Sequence, residues 1–410
     1  MAKNERVQSV AGGRLEYLPF EALPLHDSVW GLCTGKDGMI YASACGECTG
    51  GLSVFILRYD PAARKLEYLL EVGPAVGQPP DNGHATQCKI HYCLLPGSDG
   101  LLYCATHASG PPLGDPIWRP WNCWDDPVRN FPGSYLFTYD PASGRLDNFG
   151  IGPLKEGSRA LALDEKRHKL YGLTWPRNHF YVYYLDQRRY LDLGRIGDIN
   201  PQAIFLDRAG NAYTTDDYGW ILRCEAGRDR LQRLGVQCPS AAGRTGWHNV
   251  PYDVVPAPDW SCFYGTDWGF ESRLWRYDPY AGGDGRMDDL GPAFPLGSAR
   301  TERSMEHWQV RGLVFGADGK LYYTMRLPEA AKDSTWLLRL DPANGKREKV
   351  GRIRFGEHEP VAIASATPDF YGNLYFAEAG LSPTGLYIYR PTGISSQPTT
   401  FSFKDIKPWG

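Results

Sequence analysis

An all-β fold, a seven-bladed β-propeller, is what this chain predicts, on three observations. Aromatic residues make up 13% of the 410 positions, with 25 Tyr, 47 Gly and 32 Pro, a balance that favours many short strands joined by turns. A turn followed by a strand carrying Tyr recurs seven times: Asp37–Tyr41, Asp99–Tyr103, Arg167–Tyr171, Ala209–Tyr213, Trp260–Tyr264, Asp318–Tyr322 and Tyr371–Tyr375. A second strand follows each of these and runs into Tyr-Asp-Pro or a relative, at Tyr59-Asp60-Pro61, Tyr139-Asp140-Pro141, Tyr277-Asp278-Pro279 and Leu340-Asp341-Pro342, with weaker copies at Asp186, Glu225 and Pro391. Seven copies of about 40–60 residues, each with room for four strands, are the signature of a propeller forming a single domain over 1–410.

Taken in order, the inner strands of the seven blades start near residues 28, 89, 159, 201, 252, 311 and 361. The last blade lacks a good fourth strand after Tyr389. The orphan strand Arg14–Leu18 is expected to pair with that blade and close the ring, with Thr400–Phe403 as the rival. Two insertions break the rhythm: 108–132, with Trp118, Trp121 and Trp124, and 291–306, with Arg300 and Arg303. Loops this long in a compact domain usually carry function.

Composition excludes several classes. A net charge of −3 leaves no nucleic-acid footprint. No stretch approaches the about 20 apolar residues needed to cross a membrane as a helix. Residues 1–6 lack an apolar signal core, so the chain is expected in the cytoplasm, although a piece of an exported protein would read the same way. Monomers or small homo-oligomers are expected. Cys33, Cys93, Cys104 and Cys262 fall in strand-like runs and read as packed thiols.

The second blade carries the sharpest local signal. Cys88–Leu95 and Leu101–His107 read as neighbouring antiparallel strands joined by the Asp99-Gly100 turn. His91 near the start of one and His107 at the end of the other should then meet at one sheet edge. In a propeller, such positions collect around one mouth of the central channel. The same reading adds Arg159, Trp175 and Arg177 from the third blade and Gln202 and Asp216 from the fourth. Tyr252, Asp267 and Trp268 come from the fifth, Arg311 and Arg326 from the sixth, and Glu359 and Glu378 from the seventh. His248, His307 and His358 precede the inner strands of the last three blades. Arginine forks, imidazoles and exposed tryptophans together suit an anionic sugar.

Lys89-Ile90-His91, then Asp99-Gly100-x-x-Tyr103 and Thr106-His107, resemble the seven-bladed propeller polysaccharide lyases that act on ulvan and on rhamnose–glucuronate linkages. So do Tyr171–Pro176 with His179–Tyr183, and Phe263–Asp267, although a His often stands where this chain has Asp267. The resemblance implies β-elimination at a uronic acid. Arg159, with Arg311, would neutralise the carboxylate, and His91 and His107 would supply base and acid. Tyr171 or Tyr252 would be their partner. Arg177, Trp175, Trp268, Arg311, Arg326 and His248 would bind substrate.

Plainer readings stand beside these. Tyr171 equally fits blade packing, and His168 lies in a solvated turn. His179 has a plain reading as a structural residue after its strand. Cys45 and Cys48 have metal-ligand spacing, and with two of His84, Cys88 and Cys123 would make a structural zinc site, but a single CxxC is a weak signal. A divalent ion among the late histidines is a further option; catalysis itself is expected to need no cofactor. The competing functions are a metal-dependent lactonase-like hydrolase and a non-catalytic carbohydrate-binding propeller.

Overall fold

The computed structural model describes residues 6–47, 49–108, 126–198, 201–239, 250–267, 272–295, 310–329 and 333–393. The two half-motifs of the repeat have a common physical basis. In the first, the tyrosine hydroxyl turns back onto the aspartate of its own turn: Tyr41 donates to Asp37 at 2.7 Å, Tyr103 to Asp99 at 2.7 Å and Tyr322 to Asp318 at 3.0 Å. Tyr213 and Tyr375 do the same toward Asp207 and Asp369, at 2.8 and 2.9 Å. In the second, the Asp carboxylate accepts from the backbone N–H two residues on, as at Asp60, Asp140, Asp278 and Asp341. Both are Asx-type turns that end one strand and aim the next.

The chain gathers into two compact units, Pro19–Arg195 with Ala377–Gly385, and Ile196–Phe376 with Met1–Leu18 and Leu386–Pro408. Three sets of four antiparallel strands build the first unit. They are Ser28–Thr34, Ile40–Cys45, Phe55–Asp60 and Lys65–Glu71; Leu94–Pro96, Leu102–Ala105, Gly133–Tyr139 and Leu146–Leu154; and Gly157–Asp164, Lys169–Trp175, His179–Tyr184 and Arg189–Arg195. The second strands Ile40–Cys45 and Lys169–Trp175 are buried along nearly their whole length, while the fourth strands Lys65–Glu71 and Arg189–Arg195 mix exposed and half-buried positions. Charged, twisted outer strands protect the sheet edges from pairing with other chains.

The second unit repeats the plan in sets starting at Phe205, Pro251 and Arg311. Ala362–Pro368, Leu374–Ala379 and Gly385–Pro391 pair in that order, and Gly13–Pro19 from the N-terminal end pairs beside the last of them. The expected orphan strand therefore does lie beside the final set. Arg390 holds it by an ion pair to the buried Glu16 at 2.8 Å. Gly13 is needed there, since a Cβ would lie 2.3 Å from the Arg390 carbonyl oxygen. One more strand, Val7–Val10, adds outside it. Its rival Thr400–Phe403 lies outside the described residues, as do Trp118, Trp121, Trp124, Arg300 and Arg303. Among the described residues, no helix is long and apolar enough to cross a membrane.

One irregularity recurs. The first strand of several sets carries a β-bulge at the same place: between Val29 and Leu32, Ser158 and Ala160, Pro251 and Asp253, and Arg311 and Val314. A bulge inserts an unpaired residue and re-aims its side chain. The residues it re-aims include Trp30, Arg159 and Tyr252.

Candidate active site

The expected strand Cys88–Leu95 is not continuous. Only Leu94–Pro96 keeps strand pairing; before it, the Cys93 N–H closes on the His91 carbonyl at 2.7 Å, a γ-type turn centred on Tyr92. Lys89, not His91, bridges His107. The turn nonetheless brings the two imidazoles together, with ring centroids 5.8 Å apart. They form the middle of a four-ring stack. Trp30 lies on His91 at 4.4 Å, and Trp175 lies on His107 at 4.9 Å.

Each imidazole is fixed by one hydrogen bond. His91 Nδ1 faces the Arg159 carbonyl at 2.9 Å, and His107 Nδ1 faces the Ala108 carbonyl at 2.5 Å. A carbonyl can only accept, so both Nδ1 atoms carry the proton and both Nε2 atoms carry a bare lone pair. Both Nε2 atoms are buried and, among the described residues, have no hydrogen-bond partner. Burial holds both rings far below the ordinary imidazole pKa; Arg159, then Lys89, adds to the effect at His91, and Lys89, then Arg159, at His107. Two neutral bases therefore sit in a positively charged surround.

The neighbouring strand supports this geometry. Arg159 is the bulged residue between Ser158 and Ala160, so its carbonyl leaves the ladder to receive His91 and the Tyr92 N–H. Gly157 is the close-approach point, because a Cβ there would lie 2.8 Å from the His107 ring. Gly157→Ala is expected to displace that ring, costing about 1–3 kcal/mol of stability and disordering the stack; thermal unfolding, with tryptophan fluorescence reporting on Trp175, checks it.

The structure places the other expected residues as follows. Exposure corrects the picture of an open rim: His91 is 0% and His107 2% exposed, so the pair is enclosed. Tyr171 is a buried core residue packed toward Phe180. Arg177 is largely exposed and lies 3.4 Å from the buried Glu156. His179 pairs with Asp192, and His168 with Asp186, as solvated structural residues. Tyr252 and Arg311 meet in the second unit, the guanidinium 4.6 Å over the phenol ring. Arg326 is spent on the Asp333 and Val361 carbonyls. His358 stacks on Tyr17. His248, His307 and Trp268 lie outside the described residues.

The zinc expectation gains no donor set. Cys45 donates to the Ser43 and Ile90 carbonyls, and burial pushes its thiol up to about 11. Cys88 is a buried cysteine outside any disulfide, and His84 is a half-buried loop residue. Cys48 and Cys123 lie outside the described residues. Among those described, no group of three or more His, Cys, Asp or Glu side chains is placed to hold a metal ion.

Beside Tyr252, Asp253 accepts from the Leu313 N–H at 2.8 Å. Burial nevertheless raises its pKa from 3.8 to about 6. A carboxyl whose pKa is raised on folding binds more protons folded than unfolded, so its contribution falls as pH rises from about 4 to about 6. The unfolding free energy of Asp253→Asn relative to the parent is therefore expected to climb across that window, by about 1–2 kcal/mol, and level off above it; urea titrations at stepped pH read this out.

Sequence reasoning missed Trp30, Tyr92, Lys89 and Glu47. Trp30 opens the inner strand of the first set, the same position that singled out Arg159. Lys89 stands inside the Lys-Ile-His motif, where attention fell on the histidine.

No family model matches the chain, and no curated protein matches it in sequence. Solved structures do. Virginiamycin B lyase from Staphylococcus aureus is similar over 92% of this chain and 99% of its own, at 12% identity and a TM-score of 0.58. A WD40 β-propeller domain is similar over 94% of this chain and 96% of its own, at 9% identity and a TM-score of 0.50. The fold is a β-propeller. The extracellular domain assigned to a hybrid two-component system of B. thetaiotaomicron is similar over 95% of this chain at 13% identity, with a TM-score of 0.57. This propeller chain spans 40% of that domain's length. At such identities the likeness carries fold alone, and propellers serve catalysis and binding alike.

Proposed function

We propose that this chain is a seven-bladed propeller, its ring closed by the N-terminal strand, that cleaves uronic-acid-containing glycans by β-elimination. The observation that carries the reading is the pair of bare, neutral Nε2 atoms of His91 and His107 beside the cations of Arg159 and Lys89. Such a surround disfavours a lasting positive charge on either ring. It suits a ligand that brings a carboxylate together with groups able to donate to nitrogen, which is the makeup of a uronate.

In the proposed step, one Nε2 takes the C5 proton, the other Nε2 accepts a hydrogen bond from a sugar hydroxyl and so holds the ring in place, and a cation stabilises the charge that develops on the carboxylate. The electron pair forms the C4–C5 double bond as the C4–O bond breaks. Neither Nε2 carries a proton at the outset. The proton taken from C5 is therefore the one available there for the departing oxygen, and the reaction balances without an outside acid. Trp30 and Trp175 flank the pair as flat apolar faces. Both imidazoles are enclosed, so this reading requires the groups that cover them to part and admit substrate.

Virginiamycin B lyase, a lyase of another kind, shares the fold, so the propeller architecture is compatible with a lyase. The test is incubation with glucuronate-containing polysaccharides while following ultraviolet absorbance from the unsaturated uronate. A rise that survives chelator supports elimination. Binding of these glycans without any rise would leave the protein a carbohydrate-binding propeller, and hydrolysis that chelator stops would make it a metal-dependent hydrolase.

A further inference from the structure

Lys89 is the least ordinary charge in the first unit. Its side chain is 6% exposed, and its ammonium is ion-paired to Glu47 and lies 4.2 Å over the Trp30 ring. Trp30 is itself stacked on His91, and the Lys89 backbone is bridged to His107. One residue thus touches both ends of the imidazole pair, by its side chain through Trp30 and by its backbone at His107. Glu47 is held in turn: its backbone N–H donates to Asp27 at 2.8 Å, and Asp27 also accepts from Ser28. A buried ammonium is costly unless it is paired, and a packed aliphatic side chain would fill this place without that cost. The charge is therefore best explained by what it does to its neighbours.

We propose that Lys89, clamped by Glu47 and laid on Trp30, is a positioning residue that sets the field in which the lone pairs of His91 and His107 stay available as bases. This deepens the elimination reading but has a readout independent of it. Among the described residues, the charged and titratable groups facing the pair are Lys89 and Arg159, with Glu47 and Asp27 behind Lys89, Cys45 against Lys89, and Cys93 against Arg159. Removing the Lys89 charge leaves Arg159 as the cation next to the rings. Removing the Glu47 charge takes away the anion with which the Lys89 ammonium is paired.

The experiment is a pH titration of the full chain labelled with nitrogen-15 at histidine, reading the ring nitrogens by NMR, with His91→Asn and His107→Asn used for assignment. Lys89→Met is expected to move both midpoints upward by about one pH unit, and Lys89→Arg to restore them. Glu47→Gln is expected to move them downward. In the elimination assay, the acid limb of the rate profile should follow the Lys89→Met shift while the alkaline plateau is kept. Unmoved midpoints in a folded Lys89→Met overturn the proposal. If that variant does not fold, unmoved midpoints in Glu47→Gln overturn it equally. Shifted midpoints without elimination on any substrate would uphold the role of Lys89 and remove the lyase reading.

Discussion

Replacing either imidazole by asparagine is expected to lower the rate of unsaturated-uronate formation by about 10²–10⁴-fold while the protein stays folded. The asparagine amide reaches roughly where Nδ1 stands, so it can keep donating to the Arg159 or Ala108 carbonyl that each ring now satisfies. It offers nothing at the place of Nε2. Glutamine is the complementary replacement: it reaches the Nε2 position but carries an amide that is not a base. Both variants should therefore be inactive, and asparagine should be the more stable. Comparison of initial rates and urea midpoints for His91→Asn, His91→Gln, His107→Asn and His107→Gln separates the chemical loss from the structural one. A His91→Asn protein retaining a tenth or more of the parent rate would remove His91 from the mechanism.

Acid should weaken the fold through the same pair. Both rings are buried neutral, with pKa values far below the ordinary 6.5. As pH falls through 6.5, the unfolded chain takes up protons that the folded chain refuses, so stability falls with it. Each imidazole contributes a slope of about 1.4 kcal/mol per pH unit until the folded form protonates. His26, also lowered by burial, adds in the same direction. Asp253 opposes them between about pH 4 and pH 6, because its pKa is raised on folding. Urea midpoints at stepped pH from 7.5 to 5 should thus drop steeply in the parent. The double His91→Asn/His107→Asn protein should show a much shallower drop, and equal slopes in the two would mean that the rings are not held neutral.

These expectations rest on features that were unevenly legible in the chain. The repeat was plain in the sequence because its physics is local: an aspartate reaching its own turn and a tyrosine four to six residues on need no distant partner. The orphan N-terminal strand could be paired with the last set because a missing fourth strand and a surplus strand are complementary shortages. The meeting of His91 and His107 was legible for a similar reason, since two strands joined by a tight turn put their far ends side by side. The register was less so. A continuous strand through Cys88–Leu95 was expected, whereas a turn at Tyr92 replaces part of it. A bulge has no sequence period; one added residue reverses the alternation, and composition carries no mark of it.

Sequence by itself determined the all-β repeat, the turns that punctuate it and the closeness of two histidines, because each follows from interactions among residues near one another along the chain. Tertiary structure alone decided that the pair is enclosed and stacked between Trp30 and Trp175, that its bare nitrogens face no partner among the described residues, and that Lys89 and Glu47 stand behind it. It also decided that Tyr171 belongs to the core. Burial and charge at a site are sums over strands distant in sequence, and they come into being when those strands pack.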